Sequence, residues 1–421
     1  MDGTGKKRIG VIGAGMVGVA AASFLLREGH DVVLVEPGNP GEGTSFGNAG
    51  CLNGSSVVPM SMPGTVRNVP QWLTDPMGPL VIRWAYLPAI MPWLVRFIRA
   101  GRPEKVRAQA KALRTILGPS LATLAPLIRD AGAEDLVKKH GHLFVYRSDE
   151  SWRKESLAWA LRRENGIAWD EFDANELRQL DPNLSRDYVK GVLVRENGHT
   201  VNPHRLVNSL ADAFLRNGGR IERTRATGFD LDGGRLKGIH TESGTLSADG
   251  AVMAAGIWSK KLAATLGDKV PLETERGYHL MIRDPEVMPR IPVADAEGKF
   301  VATPMELGVR VAGTVELGGL NAPPNWERAR VLLRHVRRMF PALAESYPEE
   351  RLSTWMGHRP SLPDSLPVIG RSTASPDVVY AFGHGHVGMA AAPMTGKVAA
   401  EVLSGKTPSV DLAPFSPKRF G

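Results

Sequence analysis

Apolar residues near the start of the chain are grouped in blocks that fit a strand, a helix and a second strand. Residues 9–12 form a continuous apolar run, typical of a strand buried on both faces. Residues 20–27 have the composition of a helix, and Glu28-Gly29-His30 is a helix stop signal. Asp31–Val35 is a second apolar run. The pattern predicts a β-α-β unit with parallel strands.

The same periodicities continue the sheet and indicate a second one. Residues 205–217 fit a helix, residues 220–224 a strand, and residues 246–255 a strand that ends at Gly256, an expected ligand contact. Alternation indicates two strands of another sheet and a basic amphipathic surface helix, at residues 276–282, 309–315 and 326–340. We therefore predict an α/β protein with more than one sheet.

The turn after the first strand carries a complete G-x-G-x-x-G fingerprint. Gly13 permits the tight turn, Gly15 lets the backbone approach a pyrophosphate, and Gly18 lets the helix pack on the strand. Ala14, Met16 and Val17 fill the positions between them and open the helix, whose N-terminal N–H groups attract anions. A strand-turn-helix without a ligand is the alternative, and the complete fingerprint disfavours it.

Glu36 ends the second strand, where an acidic side chain can accept hydrogen bonds from an adenosine ribose. A carboxylate at this position would repel the 2′-phosphate of NADP.

Two further segments favour a longer ligand than NAD. Gly43–Gly50 is rich in small and hydroxyl residues, and we expect it to contact a phosphate or a flavin through Thr44, Ser45, Asn48, Ala49 and Gly50. A strand, a glycine-rich turn and a helix over residues 389–403 follow near the C-terminus. Its expected ligand contacts are Gly383, His384, Gly385, His386, Val387, Gly388 and Met389. Two helix N-termini suit FAD, with the second stabilising negative charge on the reduced flavin.

Composition is that of an ordinary globular protein long enough for two domains. The 421 residues are 43% hydrophobic and 23% charged. Cys51 is the single cysteine, so an internal disulfide is excluded and a reducing compartment fits. The net charge of +8, from 52 basic and 44 acidic residues, comes without a nucleic-acid motif, so nucleic-acid binding is not expected. No metal site is expected either.

The most apolar stretch, residues 79–98, raises the question of a membrane. Arg83, Pro88, Pro92 and Arg96 interrupt it, which argues against a transmembrane helix. A pair of short helices packed on the protein body is the favoured interpretation, and peripheral attachment stays open. Residues 1–8 are polar and show no signal peptide. We expect a cytoplasmic protein, with peripheral association at the inner face of the plasma membrane as the alternative; the oligomeric state is not predicted.

At these motifs the chain resembles the superfamily of D-amino-acid oxidase and glycine oxidase, and within it the bacterial D-amino acid dehydrogenases. The resemblance extends over nearly the whole length, and its motifs occur in the same order. They comprise the fingerprint and residues 44–50, 201–206, 254–259, 276–278, 357–364 and 383–385.

The resemblance implies a Rossmann-like FAD-binding domain, discontinuous in sequence, and a substrate domain with a mixed, largely antiparallel sheet. The expected FAD-binding domain comprises residues 1–60, 195–270 and 350–421, and the substrate domain comprises residues 61–194 and 271–349.

The implied reaction is oxidation of a small D-amino acid by hydride transfer from Cα to flavin N5, with electrons passed to a quinone or another carrier. Arg359 matches the position of the arginine that binds the substrate carboxylate, and Tyr278, on a predicted strand, is a second candidate for that role. His279 should point to the opposite face of its strand. Arg359 could instead hold a neighbouring loop, and Tyr278 could instead be a core residue.

FAD is expected to be bound without a covalent link. Relatives of the dimethylglycine type attach the flavin through a histidine where this chain has Gly47, and no cysteine stands near residues 357–364 for attachment of the sarcosine oxidase type. Cys51 is expected to be a small buried residue.

Several alternatives remain at this stage. The substrate could be D-proline or hydroxy-D-proline, or the protein could be an oxidase of the glycine or sarcosine type that produces hydrogen peroxide. A non-catalytic FAD-holding subunit and an NAD-dependent dehydrogenase are the alternatives outside this class.

Overall fold

A computed structural model describes residues 5–75 and 77–420. The predictions for the first four residues and for residue 421 lie outside the described residues. The strands, numbered in chain order, are β1 Arg8–Ile12, β2 Asp31–Val35, β3 Cys51–Leu52, β4 Leu80–Ile82, β5 Val137–Lys138, β6 His142–Tyr146, β7 Asp170–Asp173, β8 Lys190–Val194, β9 Gly198–Thr200, β10 Arg220–Glu222, β11 Ala226–Asp232, β12 Arg235–Thr241, β13 Gly244–Ser247, β14 Gly250–Met253, β15 Glu273–Arg283, β16 Val293–Asp295, β17 Phe300–Met305, β18 Gly308–Leu317, β19 Leu352–Ser361, β20 Val368–Arg371 and β21 Val378–Phe382.

The α-helices are α1 Met16–Arg27, α2 Val69–Thr74, α3 Leu87–Ala100, α4 Pro103–Leu117, α5 Ser120–Ala131, α6 Asp149–Lys154, α7 Ser156–Glu164, α8 Ala174–Leu180, α9 Pro203–Arg216, α10 Ser259–Thr265, α11 Glu327–Met339 and α12 Gly388–Leu403.

The first large sheet has the order β10-β2-β1-β14-β21-β20, in which every neighbouring pair is parallel except β20 with β21. Apolar runs such as Asp31–Val35 form its centre because both faces are covered. Helices α1, α5, α9 and α12 pack on one face, and the three-stranded sheet β11-β12-β13 packs with α10 on the other. The carboxyl ends of β1, β2, β14 and β21 therefore meet at one edge, the place where open α/β sheets bind ligands. The predicted Rossmann-like α/β class is confirmed.

Small residues allow α1 and α12 to pack closely beside this sheet. Ala20, Ala21 and Ala22 are fully buried in α1. A Cβ added to Gly396 of α12 would lie 2.6 Å from the backbone nitrogen of Ala21. Side chains of α5 and α9 complete the same hydrophobic cluster. This packing fixes the N-termini of α1 and α12 near the carboxyl edge of the sheet.

The second large sheet has nine strands, in the order β19-β15-β18-β17-β16-β6-β8-β7 with β4 beside β18. Leu280 and Ile282 of β15 pack with α11 on one face, in a cluster with Leu332 and Val336. Because side chains alternate along a strand, Glu275, Gly277 and His279 are on the other face. The two faces of β15 therefore have different roles.

Two predicted elements differ from the structure. Residues 246–255 form two strands in different sheets, β13 and β14, because the chain turns at Ala248 and Asp249. Where the sequence predicts a pair of short helices, residues 79–98 contain strand β4, a short 3₁₀ helix at Trp84–Tyr86 and most of helix α3. Leu80 pairs with Val315 of β18, which explains the extended conformation of this apolar segment.

The domain boundaries stay a prediction. Strand β19 belongs to the stretch that the sequence assigns to the FAD-binding domain, and it is hydrogen-bonded to β15 in the nine-stranded sheet. Helix α5 belongs to the predicted substrate domain, and its Leu124 and Ile128 join the cluster around α1. Among the described helices, none is long and apolar enough to cross a lipid bilayer.

Candidate active site

An elongated cavity of about 800 Å³ lies at the carboxyl edge of the six-stranded sheet. The predicted residues that line it are Gly13, Gly15, Met16, Val17, Glu36, Thr44, Ser45, Asn48, Gly256, Gly383, His384, Gly385, Gly388 and Met389. The structure thus brings together residues 13–48, Gly256 and residues 383–389, three parts of the chain that are far apart in sequence.

The glycines of the fingerprint occupy positions where a side chain does not fit. Gly13 has a φ of 101°, in the left-handed region that favours glycine. A Cβ added to Gly18 would lie 1.8 Å from the carbonyl oxygen of Gly13, so a glycine is required for α1 to pack against the turn. Around Gly15 the nearest atom to an added Cβ is Ser45 Oγ, at 3.3 Å. The backbone at Gly15 is therefore open to the cavity.

Polar side chains already organise both sides of this turn. The Ala14 N–H donates to Glu36 Oε2 at 2.9 Å, and the Gly38 N–H donates to Glu36 Oε1 at 3.1 Å. The Met16 N–H donates to Ser45 Oγ at 3.0 Å, which connects the loop to the N-terminus of α1. Ala14 and Gly18 support the wall without lining it.

The loop of residues 44–50 is held between the cavity and the nine-stranded sheet. Thr44 Oγ1 donates to the carbonyl oxygen of His358 at 2.8 Å, and the Gly50 N–H donates to Asn48 Oδ1 at 2.8 Å. Gly50 has a φ of 79°. Cys51 follows as a half-buried thiol whose pKa is raised to about 12 by burial, so it is a thiol at neutral pH.

The second glycine-rich turn has two histidines with different surroundings. His384 is buried, its Nε2 lies 3.0 Å from Thr395 Oγ1, and burial lowers its pKa to about 3. It is therefore neutral and structural in character. His386 Nε2 lies 2.5 Å from Glu275 Oε2, and His386 is 30% exposed. His386 and Val387 are outside the cavity lining, adjacent to Gly385 and Gly388.

Arg359 lies beside this turn, on the face of the nine-stranded sheet opposite to α11. It pairs with Glu275 across β15 and β19, so the two side chains share that face. Its guanidinium lies over Gly277, where an added Cβ would be 2.2 Å from Arg359 Cζ. Arg359 Nη1 is buried and has no hydrogen-bond partner among the residues that the structure describes.

Charges around Arg359 are balanced only in part. Burial lowers the pKa of Arg359, and Glu275 opposes that shift. Burial raises the pKa of Glu275, but His386, Arg359 and Ser361 outweigh it, so the pKa of Glu275 lies below its ordinary value. Glu275 is thus ionised at neutral pH, shared between a histidine and an arginine. The unpartnered Nη1 gives Arg359 unused hydrogen-bonding capacity for a second anion.

Tyr278 is not brought together with Arg359. It belongs to the face of β15 that carries Leu280, and its hydroxyl donates to Glu316 Oε2 at 2.6 Å and accepts the Asn325 N–H at 3.1 Å. His279, expected to point away from the site, is on the same face as Arg359. The expectation that Tyr278 shares a carboxylate site with Arg359 is therefore wrong. Along β15 it is His279, and not Tyr278, that lies on the face of Arg359.

The sequence missed part of the cavity wall. Arg225 and the start of β11, at Ala226 and Thr227, line it after β10. After β14, the 3₁₀ helix at Gly256–Trp258 contributes Trp258 and α10 contributes Lys261. The only signal was position, because these residues follow strands of the parallel sheet. Pro360 lines the cavity as well, next to Arg359.

Comparison with known proteins decides the family. The sequence profile of the family described as DAO, FAD dependent oxidoreductase, matches residues 8–402. The chain belongs to the FAD-dependent oxidoreductase family. The chain is 46% identical over 417 residues to a D-amino-acid oxidase of Bradyrhizobium diazoefficiens, covering 98% of this chain and 99% of the relative. It is 29% identical to a D-amino acid dehydrogenase of the same organism, covering 97% and 98%.

Solved structures of an oxidase and a dehydrogenase share the fold. Glycine oxidase from Geobacillus kaustophilus superposes with a TM-score of 0.74 at 21% identity, covering 98% of this chain and 99% of that one. L-Proline dehydrogenase from P. horikoshii superposes with a TM-score of 0.74 at 21% identity, covering 99% and 98%. At this identity the likeness concerns the fold and not the substrate.

The residues present fit FAD, the cofactor of this family. The turn at Gly13, Gly15 and Gly18 leaves backbone space for the pyrophosphate, and Glu36 borders the cavity where a ribose would lie. Thr44, Ser45 and Asn48 of the loop and the N-terminus of α12 border its other part, whereas the predicted contacts Ala49 and Gly50 are not in the lining.

Proposed function

We propose that the protein oxidises a small D-amino acid, with Arg359 as the residue that binds the substrate carboxylate. The 46% identity to a D-amino-acid oxidase over almost the full chain supports this substrate class. The observation that carries the role of Arg359 is its buried, unpartnered Nη1 beside the cavity, among the residues that the structure describes. A buried cation with a free donor matches a carboxylate, which accepts two parallel hydrogen bonds from a guanidinium.

FAD, when bound, supplies the chemistry by accepting a hydride from the substrate Cα at flavin N5. The chain's own residues bind and orient the substrate. Because Gly277 has no side chain, the guanidinium of Arg359 can lie against the strand. The carboxylate of Glu275, opposite Arg359 on β15, stabilises the positive charge of the guanidinium. His386, just before α12, is hydrogen-bonded to Glu275 and so lies next to the same pair of charges. This arrangement fixes the carboxylate end of the substrate relative to the cavity.

The absence of a histidine at residue 47 supports non-covalent FAD. Ring atoms of Trp355 occupy the space of a side chain there, 2.1 Å from an added Cβ. FAD should therefore be released into solution when the protein is denatured with acid.

The electron acceptor separates two versions of this function. Transfer to a quinone or another carrier was the expectation from sequence, and the identity to a relative named D-amino-acid oxidase favours molecular oxygen as a second candidate. The test is a panel of D-amino acids, D-proline, hydroxy-D-proline, glycine and sarcosine, assayed for peroxide in air and for anaerobic dye reduction. Turnover with no member of the panel would contradict the proposed function.

The position of Tyr278 gives a prediction that contrasts with the role of Arg359. Tyr278→Phe should change kcat/KM for the preferred substrate by less than about threefold, because the hydroxyl faces Glu316 on the opposite face of β15. It should lower the free energy of unfolding by about 1–2 kcal/mol, because a buried hydrogen bond to a charged group is lost. Steady-state kinetics and urea unfolding measure the two effects, and a large loss of kcat/KM would return Tyr278 to the substrate site.

The exposed residues of α3 and of the 3₁₀ helix before it support a second proposal, peripheral binding to an anionic membrane. Trp84 is 65% exposed, Met91 45% and Val95 38%, and Arg96 and Arg99 are exposed next to them. Apolar side chains flanked by arginines suit the interface of an anionic bilayer. Such a position would bring the protein close to a membrane quinone.

Sedimentation with vesicles tests this surface. The protein should pellet with phosphatidylglycerol vesicles at low ionic strength, and the double variant Trp84→Ser, Met91→Ser should bind about tenfold more weakly, since apolar contact is lost. Trp326→Ser is the matched control, because Trp326 is 41% exposed at another place. Failure of the unaltered protein to pellet would exclude the proposed attachment.

A further inference from the structure

Three successive carbonyl groups of the loop next to the cavity are bound by the nine-stranded sheet. Arg310 Nη1 donates to the carbonyl oxygens of Phe46 at 3.2 Å and Asn48 at 2.7 Å. His279 Nδ1 lies 2.9 Å from the carbonyl oxygen of Gly47. Because a carbonyl oxygen can only accept a hydrogen bond, the proton of the neutral imidazole is on Nδ1. The loop is therefore fixed from the side of the sheet.

Arg310 is charged and is not neutralised by a carboxylate. It is 8% exposed, and burial lowers its pKa to about 10, which still leaves it protonated at neutral pH. The nearby Glu306 accepts instead from Asn202 and Arg205. Among the described residues, Arg310 has no ion-pair partner, and only carbonyl oxygens accept its hydrogen bonds. Burial of a cation without a counter-ion costs solvation free energy, so the sequence is expected to keep one only where it has a function.

The peptide between Asn48 and Ala49 connects Arg310 to the loop beside the cavity. The described peptide bonds are all trans, so the N–H of Ala49 points opposite to the carbonyl that Arg310 binds. Asn48 itself lines the cavity. Within the described chain the Ala49 N–H forms no hydrogen bond. A peptide whose oxygen accepts from a cation is polarised, and its N–H becomes a stronger donor.

We propose that Arg310 is a positioning residue that acts through the Asn48–Ala49 peptide to stabilise the negative charge that FAD gains on reduction. Donors fixed before the reaction stabilise developing charge without further reorganisation. The proposal rests on the cofactor of the family and is independent of which amino acid is oxidised. His279 holds the same loop as a neutral group, since burial lowers its pKa to about 3.

The test is the two-electron midpoint potential of the FAD-loaded protein, measured by dye equilibration without substrate. Arg310→Met and Arg310→Gln should both favour the oxidised cofactor by about tenfold, a fall of about 30 mV. They should weaken the binding of sulfite, which adds to oxidised flavin as an anion, by a similar factor. Arg310→Lys, which keeps the charge, should stay within about threefold of the unaltered protein.

His279→Asn is the matched control for loop placement, because it weakens a contact to the same loop without removing a charge. It should leave the potential and the sulfite affinity within about twofold. If Arg310→Met does not retain FAD, Arg310→Gln, which keeps a donor to the carbonyl oxygens, decides the question. An unchanged potential in the neutral variant that binds FAD would overturn the proposal, and so would an equal shift in His279→Asn. The readout uses no substrate, so the absence of turnover with any amino acid would contradict the proposed function and leave this test unaffected.

Discussion

Arg359→Ala should lower kcat/KM for the D-amino acid substrate by about 200- to 5,000-fold, which corresponds to roughly 3–5 kcal/mol. The effect is large because the guanidinium is the buried cation beside the cavity whose Nη1 is available to a carboxylate. Removal leaves the substrate carboxylate unpaired and also leaves Glu275 with less compensation. Stopped-flow reduction of the bound flavin measures the effect directly. Most of the decrease in kcat/KM should come from weaker substrate binding and not from slower reduction of the flavin.

Arg359→Lys is the informative companion to this variant. Lysine keeps the charge but cannot make two parallel hydrogen bonds, so it should recover only part of the lost kcat/KM. Retention of FAD and of its absorption spectrum in both variants shows that the fold is intact. A kcat/KM within about threefold of the unaltered protein for Arg359→Ala would remove Arg359 from the site.

Gly18→Ala should weaken FAD binding by at least about 100-fold, or ~2.7 kcal/mol. The added Cβ would lie 1.8 Å from the carbonyl oxygen of Gly13, whereas ordinary contacts begin at 3.4 Å. Both atoms belong to rigid parts of β1-turn-α1, so the helix has to move away from the strand. That movement displaces the backbone at Gly15 and the first turn of α1 from the position of the pyrophosphate. Flavin fluorescence during titration of the apoprotein gives the dissociation constant.

Gly228→Ala is the matched control for this substitution. Around Gly228 the nearest atom to an added Cβ is His240 Cδ2 at 3.8 Å, an ordinary contact. The control should bind FAD as the unaltered protein does. Tight FAD binding by a folded Gly18→Ala would contradict the assignment of the fingerprint to the cofactor.

The sequence predicted elements best where the pattern was continuous and local. Strand β2 was predicted with its exact bounds, Asp31–Val35, because an apolar run between a helix stop and an acidic residue has one simple interpretation. Gly13, Gly15 and Glu36 line one cavity, and Gly18 lies behind its wall. The turn at Gly383 and Gly385 also reached that cavity, through strand β21 in the same parallel sheet.

Long-range pairing accounts for what the sequence could not predict. The alternation along β15 showed that Tyr278 and His279 face opposite sides, but only α11 reveals which side is which. The contribution of residues 225–227 to the cavity wall depends on the pairing of β10 with β2 across almost 190 residues. The role of Arg310 depends on contacts with a loop more than 260 residues earlier. No local pattern carries such information.

Anaerobic reduction of the purified, FAD-loaded protein tests the central claim most directly. D-Alanine and D-proline are added separately, with L-alanine as the matched control, and the absorption of the oxidised flavin is followed. The proposed function predicts that at least one D-substrate bleaches the flavin, that L-alanine does not, and that Arg359→Ala slows the bleaching by at least about 200-fold. Bleaching by L-alanine alone, or by none of the D-amino acids and cyclic imino acids in the panel, would contradict the proposed function.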